Sequence, residues 1–286
     1  MVGSKRMGRE AIEEDTMDLG LVGKVVVITG GSKGIGLSCA HGFLGEGARV
    51  AIVSRDAGNL ARARAELEAA FPDLAGAAPA RLMTVAAEMG DPDATAAMVA
   101  QVESGLGPID VLVTSAGAAK RTPPDELNPA AWRAAMDAKY FSYVFPIDAI
   151  IKRMAARGAG TVVNVIGAGG KVASPVHMAG GAANAALMLV TAGMASAYAA
   201  RGIRVNAVNP GLTLTERLKE GMLADARLAG ITPEEALARA KARLPLGRIA
   251  TPEEIANAVL FLASGKASYI SGAILSMDGA VNPIVV

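Results

Sequence analysis

The chain has 286 residues, enough for one large α/β domain with its own core. Hydrophobic residues make up 52% and aromatic residues 3%, so Val, Ile, Leu, Ala and Met must build that core. A formal net charge of +1 gives no electrostatic case for nucleic acid or an anionic membrane as a partner.

In chain order, residues 1–19 are polar and charged, lack a signal-peptide core, and are expected to form a flexible extension. The domain is expected over residues 20–286. Lys24–Thr29 is an apolar, β-branched run that predicts a buried parallel strand. A helix follows from Gly34 to about Glu46 and carries the lone Cys39, which excludes an intrachain disulfide and reads as a buried structural thiol. Val50–Ser54 is a second strand and Asn59–Ala70 a helix. Leu82–Ala86 is a third strand, Pro92–Ser104 a helix and Val111–Thr114 a fourth strand. Ala130–Arg157 predicts one long helix, Thr161–Ile166 a fifth strand and Met178–Ala200 a second long helix. Val205–Val208 and Ala273–Met277 are the sixth and seventh strands, with a helix at Pro252–Leu262 between them.

This alternation predicts an α/β protein with a Rossmann-type doubly wound parallel sheet of about seven strands in a single domain. The Ala/Leu/Arg-rich segment Thr213–Leu246 is expected to lie as a lid over the carboxyl edge of the sheet. No uninterrupted apolar run reaches the roughly 18 residues of a spanning helix. A cytoplasmic protein, with no membrane and no metal, is the expectation.

The run Thr29-Gly30-Gly31-Ser32-Lys33-Gly34-Ile35-Gly36 follows a strand and opens a helix, the context in which a glycine motif binds a nucleotide. Gly30 permits the tight turn, and Gly34 and Gly36 allow the backbone to approach a pyrophosphate at the helix N-terminus. Ser32, Lys33 and Ile35 complete the loop. Strand two ends in Ser54-Arg55, where a cofactor without a 2′-phosphate ordinarily meets an acid. Arg55 and Lys33 are two cations near that place, and Ser54 is a further donor, so NADP(H) is expected over NAD.

Further matches extend the pattern: Val205-Asn206-Ala207-Val208-Asn209-Pro210-Gly211, then Leu246-Gly247-Arg248 with Thr251-Pro252-Glu253-Glu254-Ile255-Ala256, then Tyr269-Ile270-Ser271-Gly272 leading to Asp278-Gly279. From about Leu19 to the end, the chain resembles the short-chain dehydrogenase/reductase family. The resemblance implies cofactor contacts at Pro210, Gly211, Thr213 and Thr215, and at Glu88 and Met89 just past strand three. Ser115, Ala116 and Gly117 follow strand four. Thr114-Ser115-Ala116-Gly117 stands where the family has N-N-A-G, so the turn is expected to survive while the Asn side-chain bonds are lost.

The resemblance also implies four catalytic side chains, Asn, Ser, Tyr and Lys, and this chain replaces all four. By the flanking motifs they fall on Lys139, Gly167, Gly180 and Asn184. Independently of register, the residues four beyond the Tyr residues 140, 143, 198 and 269 are Val144, Ile147, Gly202 and Ala273, so no Tyr–Lys pair exists. The exchange of Lys139 and Asn184 is reciprocal. It leaves an ammonium near the nicotinamide ribose in one reading, and in another a Lys that fills space or pairs with Asp137 or with a substrate carboxylate. His177, seven residues before Asn184, is either a proton donor in the crevice or a neutral imidazole capping the helix. Tyr143 shares a helix face with Lys139 and is either catalytic or core packing, as is Tyr140. Ser174 is a fallback substrate donor.

Three functions remain open. The first is an NADP(H)-dependent oxidoreductase with a non-standard active site, reducing a small carbonyl, imine or activated enone. The second is an inactive cofactor-binding sensor or structural subunit, and the third a non-redox lyase or isomerase. By resemblance, the two long helices imply a homodimer or homotetramer.

Overall fold

The computed structural model describes residues 17–74, 76, 80–117 and 119–283. The expected N-terminal extension lies almost wholly outside them. The described residues contain a seven-stranded sheet: β1 (Val25–Thr29), β2 (Arg49–Ser54), β3 (Leu82–Ala86), β4 (Val111–Thr114), β5 (Gly160–Val165), β6 (Ile203–Pro210) and β7 (Ile274–Met277). Its order is β3-β2-β1-β4-β5-β6-β7, and every neighbouring pair is parallel. This is the doubly wound Rossmann-like arrangement expected from the sequence. The order reverses at β1, where Thr29 pairs with Val53 on one side and Thr114 on the other. The crevice at this reversal is where such sheets hold ligands.

The central strands β1 and β4 are apolar, largely β-branched runs buried along their whole length, because both faces are covered. Within β1, Val26 and Ile28 face one core layer and Val25 and Val27 the other, following the two-residue period of a strand. The first layer is closed by α1 (Gly34–Gly45), α2 (Ala57–Ala70) and α9 (Pro252–Ala263). The second is closed by α3 (Pro92–Leu106), α5 (Ser142–Arg157) and α6 (Met178–Tyr198). Cys39 on α1 is fully buried, and burial pushes its thiol up to about 12, so it stays protonated and inert.

The single helix expected over Ala130–Arg157 is interrupted. Helix α4 (Pro129–Ala135) passes through a π-helical turn at Met136–Phe141 before α5 resumes. Two features of the sequence favour the break. Pro146 has no amide to give the carbonyl four residues back. The Ser142 hydroxyl reaches the carbonyls of Ala138 and Lys139 at 3.0 and 3.2 Å, satisfying acceptors that the wider turn displaces. The turn sets Lys139 into the interior, where it is buried.

Thr114 makes side-chain bonds of its own. Its hydroxyl, 2.6 Å from Asn164 Oδ1, starts a buried chain from β4 to β5. Asn164 then donates to the Thr191 hydroxyl (2.9 Å), which donates to the Leu187 carbonyl of α6 (2.8 Å). Thr114 thus supplies a hydroxyl tie of its own at the position where the family resemblance places an Asn.

Residues 175–201, which include α6, are long and apolar enough to cross a membrane by length and composition alone. In the fold, Ala183, Leu187, Thr191 and Ala195 of α6 are buried. After β6 the chain forms α7 (Glu216–Ala229) and α8 (Pro233–Ala242), which share a small apolar cluster of Met222, Ala226 and Ala236 separate from the sheet's core.

Candidate active site

The cofactor end is a cradle formed by missing side chains. Gly30 has φ +72°, and a Cβ there would lie 2.7 Å from Ala116 Cα, so the turns after β1 and β4 can meet only through a glycine. A Cβ at Gly36 would run into the Gly30 carbonyl, and one at Gly34 would press on Thr215 at 3.3 Å. The first turn of α1 has no side-chain cap. Its amides are thus left for an anion, with Ser32 buried, Ile35 half-buried, Thr215 beside Gly34, and Gly117, whose φ is +93°, in the turn after β4. Ser115 is held by its amide on the Thr29 carbonyl (3.0 Å), and Gly211 by its amide on the Met277 carbonyl (3.0 Å). Pro210 ends β6, and Thr213 bridges to Ala250. This cradle suits a dinucleotide.

The selectivity positions fall into two groups, Arg55 and Ser54 beside Glu88 and Asp56, and Lys33 toward α7. Arg55 donates to Glu88 at 3.2 Å, and both side chains are exposed enough to meet a ligand. Lys33 stands 3.6 Å from Glu216 at the start of α7. Ser54 Oγ accepts from the Asp56 amide at 3.4 Å. The Met89 side chain is buried in the second core layer, which leaves its backbone for a contact with the cofactor.

At the catalytic end, the π-turn aims Lys139 at the carboxyl end of β5. Its Nζ donates to Tyr143 Oη at 2.6 Å and to the Val165 carbonyl at 3.3 Å, and Tyr143 Oη donates to the same carbonyl. The ammonium also lies 4.1 Å from the Tyr143 ring centroid. Lys139 therefore does not pair with Asp137, and Tyr143, though fully buried, is its direct partner. Burial, reinforced by the positive charge of Arg217, pushes Lys139 down to about 7. Burial pushes the Tyr143 phenol far above its ordinary value, so it remains a neutral hydroxyl.

Asn184 donates to the Gly167 carbonyl at 3.4 Å, and its Oδ1 is buried without a protein partner. The two exchanged residues thus share the end of β5 while bonding to different carbonyls. Gly167 explains part of the replacement. It has φ +127°, and a Cβ there would sit 3.3 Å from Asn184 Nδ2, so a serine would be strained and crowded.

His177 does not cap α6, because it makes no side-chain cap bond. Its ring lies in a slot between two glycines: a Cβ at Gly169 would be 2.8 Å from Cδ2, and one at Gly180 would collide with Cε1. The imidazole therefore fills the space beside the position where the family resemblance places tyrosine. Its Nδ1 is buried and unpartnered. Burial, then the charges of Arg121, Arg217 and Lys139, hold it at about 4, neutral at pH 7. Ser174 contributes its carbonyl to the His177 amide (2.9 Å), and Tyr140 turns aside to meet Phe141 edge-on.

Two site residues escape a reading of the sequence. Arg217 Nη2 donates to the Ala119 carbonyl at 3.3 Å. Arg121 lies against Gly221, where a Cβ would be 3.3 Å from its guanidinium carbon. In sequence, Arg217 is one charge in an Arg/Lys/Glu-rich helix; only the approach of α7 to residues 119–122 distinguishes it.

Residues 30–282 match the family model described as Enoyl-(Acyl carrier protein) reductase. A cis-4-hydroxycyclohexanecarboxylate dehydrogenase from Sinomonas cyclohexanicum is 35% identical over 262 residues, covering 91% of this chain and 97% of that one. A protein from Xanthobacter autotrophicus described as inactive 2-(S)-hydroxypropyl-CoM dehydrogenase 2 is 32% identical over 238 residues, covering 83% and 96%. Among solved structures, an NADPH-bound short chain oxidoreductase from Pseudomonas aeruginosa PAO1, described as containing an atypical catalytic center, superposes with a TM-score of 0.81. It is 31% identical, with 92% of this chain and 99% of that one covered. With its parallel sheet, glycine cradle and these relatives along nearly its whole length, the chain belongs to the short-chain dehydrogenase/reductase family.

Proposed function

We propose that the chain is an NADP(H)-dependent oxidoreductase that reduces a small carbonyl, imine or activated enone with a non-standard proton donor. The observation that carries this reading is Lys139. It is buried on the Val165 carbonyl and Tyr143, and is held at about 7. When bound, NADPH supplies the hydride. Gly30, Gly34 and Gly36 would admit its pyrophosphate, Arg55 with Lys33 would hold a 2′-phosphate, and Thr213 and Thr215 would stand on the nicotinamide side. An ammonium has three donors. Two are used on Tyr143 and Val165, so the third serves the substrate oxygen or nitrogen. Lys139 gives that atom a proton as it gains negative charge, and solvent restores the ammonium. Tyr143 holds Nζ in place, and neutral His177 shapes the pocket wall and offers a hydrogen bond.

The relative named for cis-4-hydroxycyclohexanecarboxylate supports a small hydroxy or oxo compound as substrate, and the NADPH-bound relative supports the cofactor. The α7–α8 segment is the lid. Helices α5 and α6 are the pairing faces of a homodimer or homotetramer; Leu189 on α6 is 76% exposed and suits such a contact. A cytoplasmic location, without nucleic-acid or membrane partners, fits this reading.

NADPH oxidation over matched ketones, imines and enones tests it. Turnover that Lys139→Met abolishes is the expected result; tight NADPH binding with no turnover of any class overturns it. The relative described as inactive favours one second reading, a cofactor-binding member without chemistry. In that case Lys139→Met would change neither cofactor affinity nor any reaction.

A further inference from the structure

We propose that Arg121 and Arg217 form an anion subsite between the α7–α8 segment and the catalytic crevice, and that the substrate carries a carboxylate. The proposal rests on the oxidoreductase reading above and names its substrate class.

The position follows from a short series of contacts. Arg217, in the first turn of α7, is anchored on the Ala119 carbonyl. The Ala119 side chain lies 2.9 Å from where a Cβ at Gly180 would stand, and the His177 ring borders the same point. The Thr122 amide bonds the Val176 carbonyl at 2.9 Å, fastening the segment that carries Arg121 to the turn that carries His177. Both guanidiniums therefore sit beside the slot where the chemistry is placed.

Their charges are only loosely compensated. Arg121 has Asp225 at 3.6 Å and Arg217 has Glu220 at 3.8 Å, both longer than a hydrogen bond and both on α7. Arg217 spends one of its five donors on Ala119. Their positive potential reaches the reaction centre: both Arg side chains disfavour charge on His177, and Arg217 does so on Lys139. Two partly buried planar forks, each held only loosely by its acidic partner, match a carboxylate, which accepts paired N–H bonds. A bound carboxylate would also relieve the repulsion between Arg217 and Lys139.

The test compares 4-oxocyclohexanecarboxylate with 4-methylcyclohexanone, rings of similar size that differ in charge. The full-length protein and NADPH are used, with the Arg217→Met, Arg217→Lys and Arg121→Met variants. The expected result is a kcat/KM preference for the carboxylate of about tenfold or more. Each Met variant lowers that ratio, and Arg217→Lys partly restores it. Arg227→Met, an exposed charge on the same helix, leaves the ratio unchanged and controls for general electrostatics. Titration of unreactive cyclohexanecarboxylate into the NADPH complex, followed by nicotinamide fluorescence, needs no turnover. Carboxylate binding that weakens in both Met variants supports the subsite even if no ketone is reduced, in which case only the oxidoreductase reading falls. Equal use of both ketones overturns the subsite. So does a loss of NADPH affinity in Arg217→Met with the substrate ratio intact, which would assign the guanidinium to the cofactor.

Discussion

His177 and Gly180 interlock: the imidazole occupies the space that any side chain at position 180 would need. The glycine is thus the condition for the histidine's place. Substituting Gly180→Ala forces the ring out of its slot between Gly169 and Gly180. The expected cost is roughly 1–3 kcal/mol by overpacking, measured by denaturant unfolding. In a double-mutant cycle, His177→Ala should recover most of that loss. Full additivity of the two changes would show that they do not touch.

Lys139 ties activity to pH. The amine is held at about 7, so the proton-donating form is lost as pH rises through that value. Reductive kcat should fall above about pH 7, and the reverse oxidation should rise. Lys139→Arg, whose guanidinium does not give up its proton, should lose most of the turnover together with this pH dependence, and Tyr143→Phe should move the midpoint. A pH profile unchanged by Lys139→Arg would place the proton donor elsewhere.

The same two groups set a stability slope. Lys139 changes from 10.5 unfolded to about 7 folded, so between these values the unfolded chain binds more protons and stability rises with pH. His177 changes from 6.5 to about 4, so stability falls as pH drops through that window. Urea midpoints should therefore rise from pH 7 toward 10 in the parent relative to Lys139→Met. Between pH 6.5 and 4, His177→Gln should lose less stability than the parent.

Arg55 should decide between the two nicotinamide cofactors. Without ligand it rests on Glu88 at 3.2 Å, an exposed pair worth little by itself. Arg55→Ala should weaken NADPH binding about tenfold by removing one charge-assisted contact, with NADH nearly unaffected. Fluorescence titration at two salt concentrations measures this, because the Arg55 contribution should shrink as salt screens it.

Much of this protein is legible in its sequence because the deciding interactions are local. Buried parallel strands need apolar, largely β-branched runs, and Val25–Thr29 and Val111–Thr114 supply them. The glycine loop is a demand of backbone geometry at Gly30 and Gly36, and the absence of a Tyr–Lys pair is plain from counting four residues beyond each tyrosine. What the sequence could not decide depends on distant segments meeting. A helical pattern over Ala130–Arg157 does not reveal that the turn at Lys139 widens, because that depends on how Ser142 and the core share the displaced carbonyls. Nor does it show that Lys139 shares the Val165 carbonyl with Tyr143, or that His177 enters the space left by Gly180. Arg217 and Arg121 lie 96 positions apart and act on one pocket only because α7 folds across the loop after β4. Composition and spacing determined the fold and the cofactor cradle; burial and long-range packing, which set each charge's environment, decided which side chains form the chemical site.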